Sequence, residues 1–235
     1  MAKTLTIVGL GGSLASTSKS RAALQTALEG AETAGAETQL LDIRRLDLPM
    51  YNPENDEPTE GAATLIESCY AADGLLWSSP MYQGTISGAL KNALDWLHLL
   101  RDRDPPFLHD KVIGLISAAG GTQGLQAINT MEFAVRALRG WAVPYVVPVA
   151  AAARVFDDEG RVQDQAVELQ LKTLGEEVVR VAERFAADVS LHREAECEQA
   201  SERLRPRHSS FSSTRRSGPR WPPSASTLGS CVNAH

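Results

Sequence analysis

The 235-residue sequence predicts a doubly wound α/β domain, in which helices cover both faces of a five-stranded parallel sheet. Apolar, strand-like segments alternate with segments of helical periodicity along the chain. The strand-like segments are apolar on both faces, as is typical of a parallel sheet that is buried on both sides. Loops rich in glycine and serine follow several of these strands, and open α/β sheets bind ligands beyond the carboxyl ends of their strands.

The predicted elements follow one another closely except at residues 44–59. That segment is a polar loop with three prolines, and we expect it to cover a site or to form part of a dimer interface, because loops of this length are uncommon and often functional. Pro148 interrupts the last strand, which indicates an edge position. The predicted strands are residues 4–10, 38–43, 74–79, 111–117 and 145–150, and the predicted helices are residues 21–32, 61–72, 87–100, 124–139 and 163–189.

Composition narrows the class of protein. With 43% hydrophobic and 22% charged residues, the chain can bury a core and keep a polar surface. The net charge of -6 argues against binding nucleic acid or an anionic membrane across the whole surface. Cys69, Cys197 and Cys231 are far apart, match no metal-ligand spacing and form no CxxC motif. We therefore expect a reducing compartment, a core position for Cys69 and no metal site.

The two ends of the chain differ in character. The first residues run directly into a strand-like segment that is too short for an export signal, and no apolar run reaches the roughly 20 residues that cross a bilayer, so we expect a cytoplasmic protein. Residues 1–190 form the predicted domain, and residues 191–235 are a tail rich in Ser, Pro and Arg. From Arg203 onward the tail has six arginines and no acidic residue. We predict a disordered extension that either has no role of its own or contacts nucleic acid or an acidic partner.

A loop rich in hydroxyl groups lies between the first predicted strand and the first predicted helix. Residues 11–20 (Gly-Gly-Ser-Leu-Ala-Ser-Thr-Ser-Lys-Ser) carry five hydroxyl side chains. The N–H groups and partial positive charge of a helix N-terminus favour a phosphate. The loop therefore predicts either a phosphate site or a serine-rich helix cap without a ligand.

Two better-known phosphate motifs do not match this loop. A dinucleotide fingerprint that begins at Gly9 requires a glycine at position 14, which is Leu14. A P-loop that begins at Gly12 requires glycine and lysine at positions 17 and 18, which are Thr17 and Ser18. The spacing thus argues against a P-loop nucleotide hydrolase.

Two further loops follow the third and fourth predicted strands. In residues 78–88 (Ser-Ser-Pro-Met-Tyr-Gln-Gly-Thr-Ile-Ser-Gly), Met81 and Tyr82 can pack on a flat ring, and Gly84 permits close approach of the backbone. Residues 117–124 (Ser-Ala-Ala-Gly-Gly-Thr-Gln-Gly) combine small side chains with a flexible backbone. Because the carboxyl ends of parallel strands share one edge of the sheet, we expect the three loops to converge there.

In residues 12–21, 79–96 and 117–124, the sequence resembles the NADPH-dependent FMN reductase family of flavodoxin-like proteins. The segment 79–96 (Ser-Pro-Met-Tyr-Gln-Gly-Thr-Ile-Ser-Gly-Ala-Leu-Lys-Asn-Ala-Leu-Asp-Trp) is the most specific, and the resemblance covers residues 4–185. It implies a flavodoxin-like sheet with strand order 2-1-3-4-5, FMN as cofactor, NADPH or NADH as reductant, and a homodimer or homotetramer.

The resemblance also implies the residues of the site. Hydroxyls of the first loop hold the FMN phosphate, the second loop holds the isoalloxazine, and the third loop borders the flavin. Hydride transfer to a flavin needs no side-chain acid or base, so no catalytic residue is predicted. The implied residues are Ser13, Ser18 and Ser20 at the phosphate, Pro80, Met81, Tyr82, Gln83 and Gly84 at the ring, and Ser117, Gly120 and Gly121 at its border.

One position departs from the family pattern. Many members have an arginine two residues after the motif serine, Ser13, where this chain has Ala15. Lys19 and Arg21 are the nearby cations that can supply the charge instead. The departure bears on nucleotide preference and FMN affinity more than on the fold.

The implied reaction is the reduction of FMN by NAD(P)H, with hydride passing from the nicotinamide to flavin N5. Reduced flavin can then be supplied to a partner monooxygenase. The nearest alternative is a reductase of the same fold that keeps its FMN and reduces a quinone, an azo compound or a metal oxyanion. A flavodoxin-type electron carrier without NAD(P)H activity is a different class, against which residues 79–84 argue.

Overall fold

The computed structural model describes the backbone of residues 4–204 and the side chains of residues 4–187. Within this part of the chain, strands and helices alternate, and helices cover both faces of a mainly parallel sheet. The strands are β1 (Thr6–Gly11), β2 (Glu37–Asp42), β3 (Gly74–Tyr82), β4 (Thr85–Ile86), β5 (Val112–Ala118), β6 (Trp141–Ala142) and β7 (Val147–Val149). The helices are α1 (Lys19–Thr33), α2 (Ile43–Leu46), α3 (Glu60–Ala71), α4 (Gly88–Trp96), α5 (Leu125–Ala137), α6 (Ala152–Val155) and α7 (Gln165–Leu204), with a 3₁₀ helix at Leu97–Asp102.

The main path of the sheet runs β2-β1-β3-β5-β6, and all neighbours along it are parallel. β6 pairs with the amino half of β5, and β7 pairs in parallel with its carboxyl half. β4 pairs antiparallel with the end of β3. The fold class is therefore the predicted parallel α/β sheet, and its first four positions follow the flavodoxin-like order.

The predicted number of five strands was wrong, because the sheet described within residues 4–204 has seven. Pro144 has no N–H to donate to a ladder, and the chain around it pairs with β5 in two short pieces instead of one strand. The extra strand β4 arises where residues 83 and 84 turn the chain back along β3. Among the described strands β7 has only β5 as a neighbour, so Pro148 lies at an edge, as predicted.

Two apolar clusters, one on each face of the sheet, form the core. The first packs α3, α4 and α5 on the sheet and includes Trp77 and Trp96, both almost fully buried. The second packs α1 and α7 on the opposite face. Cys69 is buried in the first cluster, as predicted, and burial raises the pKa of its thiol to about 12. This thiol is therefore neutral at physiological pH.

Several element boundaries differ from the predicted ones for identifiable reasons. Asp42 accepts a hydrogen bond from the N–H of Arg44 and thereby caps the short helix α2, where the sequence predicts a loop. Helix α4 ends at Trp96, and the chain continues as the 3₁₀ helix rather than as a longer α-helix. Gly35 has a φ of 92° and follows the end of α1, a position and conformation that favour glycine.

The predicted tail, residues 191–235, can be compared with the structure only as far as residue 204. Helix α7 continues to Leu204, beyond its predicted end at residue 189, and residues 205–235 lie outside the described residues. The side chains of Cys197 and Cys231 also lie outside the described part. The domain boundary at residue 190 and the disordered tail therefore stay predictions. In the part of the chain that the structure describes, no helix is long and apolar enough to cross a membrane.

Helices α1 and α7 contact each other closely through two glycines. A Cβ atom on Gly175 would lie 2.0 Å from the carbonyl oxygen of Ala27, and one on Gly30 would lie 2.2 Å from that of Lys172. Real Cβ atoms do not approach backbone oxygens this closely, so the contact requires glycine at both positions.

We predict that Gly175→Ala lowers the free energy of unfolding by about 3 kcal/mol, because the added methyl group forces two backbones apart. Urea denaturation measures the change. Gly88→Ala is the matched control, since a Cβ there meets nothing within 4 Å and its effect should stay within about 1 kcal/mol. A Gly175→Ala protein as stable as the control would contradict the close contact.

Candidate functional site

The three loops start from neighbouring positions at the carboxyl edge of the sheet. The first loop is residues 12–18, after β1; the second loop is the hairpin turn between β3 and β4; the third loop is residues 119–124, after β5. The strand register places Gly11 beside Ser78 and Pro80 beside Ala118. The structure thus brings together the segments that the sequence singled out.

Serine hydroxyls shape the first loop. Ser13 Oγ accepts a hydrogen bond from the N–H of Ala15 at 3.3 Å. Ser18 caps α1 by accepting from the N–H of Arg21 at 3.2 Å, and its Oγ lies 3.1 Å from Ser20 Oγ. The side chains of residues 14–17 are exposed between these fixed points. The loop therefore presents a helix N-terminus and hydroxyl groups to solvent, with no carboxylate in residues 11–20.

A buried serine of β3 fastens the start of α1. Ser78 Oγ donates a hydrogen bond to the carbonyl oxygen of Ser20 at 2.8 Å, and the N–H of Gly12 donates to the carbonyl oxygen of Ser78 at 3.3 Å. A Cβ atom on Gly11 would lie 2.3 Å from that same carbonyl oxygen, so only glycine fits there. Ser78 opens the second predicted loop, residues 78–88, but the predicted site residues did not include it.

Two cations flank the first loop, but the structure orients them differently. Arg21 Nε lies 3.1 Å from Asp42 Oδ2, at the end of β2. A Cβ atom on Gly12 would lie 3.4 Å from Arg21 Cβ and 3.5 Å from Asp42 Oδ1, which places this ion pair beside the loop. Lys19 Nζ instead donates to the carbonyl oxygen of Asp157, in the turn that leads towards α7. The sequence alone did not distinguish the two cations.

The second loop is a tight hairpin turn. Gln83 and Gly84 have φ values of 48° and 80°, the positive values that two-residue hairpin turns favour. Tyr82 is 54% exposed at the end of β3, whereas Met81 is half-buried against the core and Pro80 is buried. Thr85 Oγ1, on β4, lies 3.0 Å from the hydroxyl of Thr130 and joins the hairpin to α5.

The third loop combines one buried residue with an open edge. Ser117 is fully buried, and its Oγ donates to the carbonyl oxygen of Gly124 at 2.8 Å, so it fixes the shape of the loop. Gly120 and Gly121 are exposed, and a Cβ atom on either would meet nothing within 4 Å. The N–H of Ala151 donates to the carbonyl oxygen of Gly121 and holds this edge in place.

Burial divides the predicted site residues into two groups. The exposed group can contact a ligand directly, while the buried group supports the loops from below. The exposed residues are Tyr82, Gln83, Gly84, Gly120 and Gly121, the partly buried ones are Ser18 and Met81, and the buried ones are Ser13, Ser20, Pro80 and Ser117. The chemistry present fits FMN, because hydroxyls at a helix N-terminus suit its phosphate and an open edge beside an exposed tyrosine suits its ring.

The long loop at residues 47–59 is fastened to α4. The carbonyl oxygen of Pro49 accepts hydrogen bonds from Asn92 Nδ2 and Trp96 Nε1, each at 2.9 Å. Asn92 Oδ1 accepts in turn from the N–H of Tyr51 at 2.8 Å. The loop borders a groove of about 490 Å³ between α4 and α5 that is lined by Tyr51, Pro53, Lys91, Leu94, Asp95, His98, Phe107, Ala134, Ala137 and Leu138.

Residues 5–154 match the sequence family described as NADPH-dependent FMN reductase. The NADPH-dependent FMN reductase ArsH of Shigella flexneri is 30% identical to the chain over 197 residues, which are 84% of this chain and 74% of that protein. An FMN-dependent NADPH-azoreductase of Staphylococcus aureus is 30% identical over 146 residues, which are 60% of this chain and 74% of that protein.

A solved structure with the same fold is FerB, a flavoenzyme NAD(P)H:(acceptor) oxidoreductase from Paracoccus denitrificans. It superposes with a TM-score of 0.64 at 22% identity and covers 77% of this chain and 99% of its own. At this identity the likeness concerns the fold alone.

We predict that Asn92→Ala loosens the long loop and lowers the free energy of unfolding by about 1 kcal/mol, because the N–H of Tyr51 loses its acceptor and the carbonyl oxygen of Pro49 keeps only Trp96 Nε1. Limited proteolysis should then cut within residues 47–59, and urea denaturation measures the loss of stability. Asn129→Ala, an exposed position on α5, is the matched control and should change neither result. Unchanged proteolysis in Asn92→Ala would contradict the conclusion that Asn92 holds the long loop in place.

Proposed function

Because the chain belongs to the NADPH-dependent FMN reductase family, we propose that it is an oxidoreductase that reduces FMN with NADPH or NADH. The observation that carries the proposal is the convergence of the three loops at one edge of the sheet. The family match at residues 5–154 contains all three loops. The three loops therefore form one continuous surface rather than three separate sites.

The first loop holds the flavin phosphate in this proposal. The partly exposed hydroxyl of Ser18 contacts the phosphate, and the buried hydroxyl of Ser20, 3.1 Å from it, supports it from below. Ser13 acts from below by holding the backbone of the loop. The N-terminus of α1 adds N–H groups and a partial positive charge, both of which favour an anion.

The second and third loops hold the ring. Tyr82, Gln83 and Gly84 contact it from the hairpin, and the buried Pro80 and the half-buried Met81 set the position of that hairpin. Gly120 and Gly121 border the ring from the other side, on a loop that Ser117 fixes from below. When bound there, FMN would supply the redox chemistry by accepting a hydride at N5 from the nicotinamide.

The protein contributes orientation rather than a proton donor. In this proposal no side chain acts as acid or base, and the residues of the second and third loops hold the two reactants in contact. The tight hairpin turn and the hydrogen bond between Thr85 and Thr130 restrict movement of this surface. This is consistent with a site built from hydroxyls, glycines and one exposed aromatic side chain.

A second candidate keeps FMN bound and passes electrons to another acceptor, such as a quinone, an azo compound or a metal oxyanion. The name of one relative, the FMN-dependent NADPH-azoreductase of Staphylococcus aureus, supports it. So does Tyr82, which is 54% exposed beside the proposed ring site and gives a planar acceptor an aromatic surface to stack on. In the first candidate function, by contrast, the reduced flavin is released to a partner monooxygenase. Both candidates are compatible with a cytoplasmic location, where NADPH is supplied.

We predict that the purified protein oxidises NADPH under air and that the rate rises with added FMN. Turnover by yellow protein without added FMN would favour the second candidate and direct the search to acceptors. Failure to oxidise NADPH or NADH, despite bound FMN, would refute the reductase and leave an electron carrier.

Gly120→Val sharpens this test. The substituted side chain points into open space in the free protein but occupies the proposed flavin border, so kcat/KM for NADPH oxidation should fall roughly 10- to 100-fold. Gly88→Val, where a Cβ atom also meets nothing within 4 Å, is the matched control. Equal activity in both variants would remove the third loop from the site.

We further propose that the chain forms a homo-oligomer through the groove between α4 and α5. The groove is mostly apolar, and Phe133 on α5 and Met50 in the long loop are 69% and 79% exposed. The exposed ion pair of Lys91 and Asp95 lies at its rim and can pair with its own copy across a twofold axis.

We predict that light scattering during gel filtration finds a dimer or a larger assembly for the native chain. Phe133→Glu should shift the mass towards a monomer, because it places a charge within the proposed contact. Leu169→Glu, on α7, alters an equally exposed apolar residue and should leave the mass unchanged. A monomeric native chain at micromolar concentration would refute the homo-oligomer.

A further inference from the structure

We infer that Arg21, held by Asp42, is the cation that selects a phosphorylated flavin in this chain. The inference rests on the proposed function, since it assigns a specificity-determining residue to the flavin phosphate site at the first loop. The question arises because residues 12–18 of the first loop contain no cation, and position 15 is an alanine. Ala15 is exposed and brings no charge to the loop.

The structure separates the two cations that could supply a positive charge to the loop. Lys19 Nζ is engaged with the carbonyl oxygen of Asp157, so its charge is drawn towards the turn before α7. Arg21 lies beside the loop instead, with its Cβ 3.4 Å from the position of a Cβ on Gly12. The hydroxyl of Ser18, one of the proposed phosphate ligands, is 3.8 Å from that same position.

Arg21 also retains capacity to bind an anion. Its Nε lies 3.1 Å from Asp42 Oδ2, yet this buried N–H makes no aligned hydrogen bond with any described residue. The side chain is 43% exposed, whereas that of Asp42 is only 10% exposed. The ion pair therefore holds the guanidinium beside the loop without enclosing it, and a guanidinium can donate to phosphate oxygens through several N–H groups.

Asp42 is fixed independently of Arg21, which makes it a suitable anchor. Its Oδ1 accepts from the N–H of Arg44 at 3.0 Å at the start of α2. The second cation near it, Arg45, is 4.0 Å away and 83% exposed. Arg21 is thus the closer partner, and it reaches the carboxylate from the helix that carries the phosphate loop.

The experiment compares the affinities of FMN and riboflavin, which differ only in the phosphate. Dissociation constants are measured from flavin fluorescence for the native protein and for Arg21→Gln, Arg21→Lys and Lys19→Gln. The ratio of the two constants isolates the phosphate, because partial loss of folding or of ring binding affects both flavins alike. Arg21→Gln and Lys19→Gln each remove one positive charge from the first turn of α1 and are matched.

We expect the native protein to prefer FMN, and Arg21→Gln to reduce that preference roughly tenfold, as loss of a charge-assisted hydrogen bond predicts. Arg21→Lys should recover part of it, and Lys19→Gln should keep it within about twofold. An unchanged preference in Arg21→Gln, or an equal loss in Lys19→Gln, would overturn the inference while leaving the proposed function intact. A native protein that binds neither flavin would overturn both.

Discussion

The contact between β1 and β3 is the constraint on which the rest of the site depends. Gly11 lies so close to the carbonyl oxygen of Ser78 that a side chain at position 11 has no room. Because the two strands lie so close, Ser78 Oγ can donate a hydrogen bond to the carbonyl oxygen of Ser20 in the first turn of α1. This bond fixes the position of the first loop relative to the sheet. Because β5 pairs with the other side of β3, the same strand also fixes the third loop. One central strand therefore positions all three loops.

The sequence was a good guide to features that depend on local pattern. Alternating apolar segments predicted the parallel α/β fold, and the loop rich in hydroxyl groups at residues 11–20 lies, as expected, between the first strand and the first helix. It was a poor guide to strand number, because the consequence of Pro144 depends on which strand lies beside it. The sequence identified the residues that follow the strands, but it did not show which of their side chains are buried.

The contacts that the sequence did not reveal join residues far apart in the chain. Arg21 meets Asp42 across two elements, and Asn92 fastens a loop some 40 positions earlier. In the sequence, Arg21 and Asp42 look like any charged surface residues, and Asn92 looks like any polar residue of a helix. No local pattern therefore shows that they make these long-range contacts. The site residues Ser117 and Pro80 illustrate the reverse case, since their place in a motif gave no sign that they are buried supports.

The burial of Cys69 has a consequence for chemistry that involves oxygen. Flavins reduced under air generate hydrogen peroxide, which oxidises cysteine through the thiolate and not through the neutral thiol. With a pKa raised to about 12 and a side chain fully enclosed by the core, Cys69 offers peroxide neither charge nor access. Cys69 is thereby protected from the by-product that the proposed reaction creates.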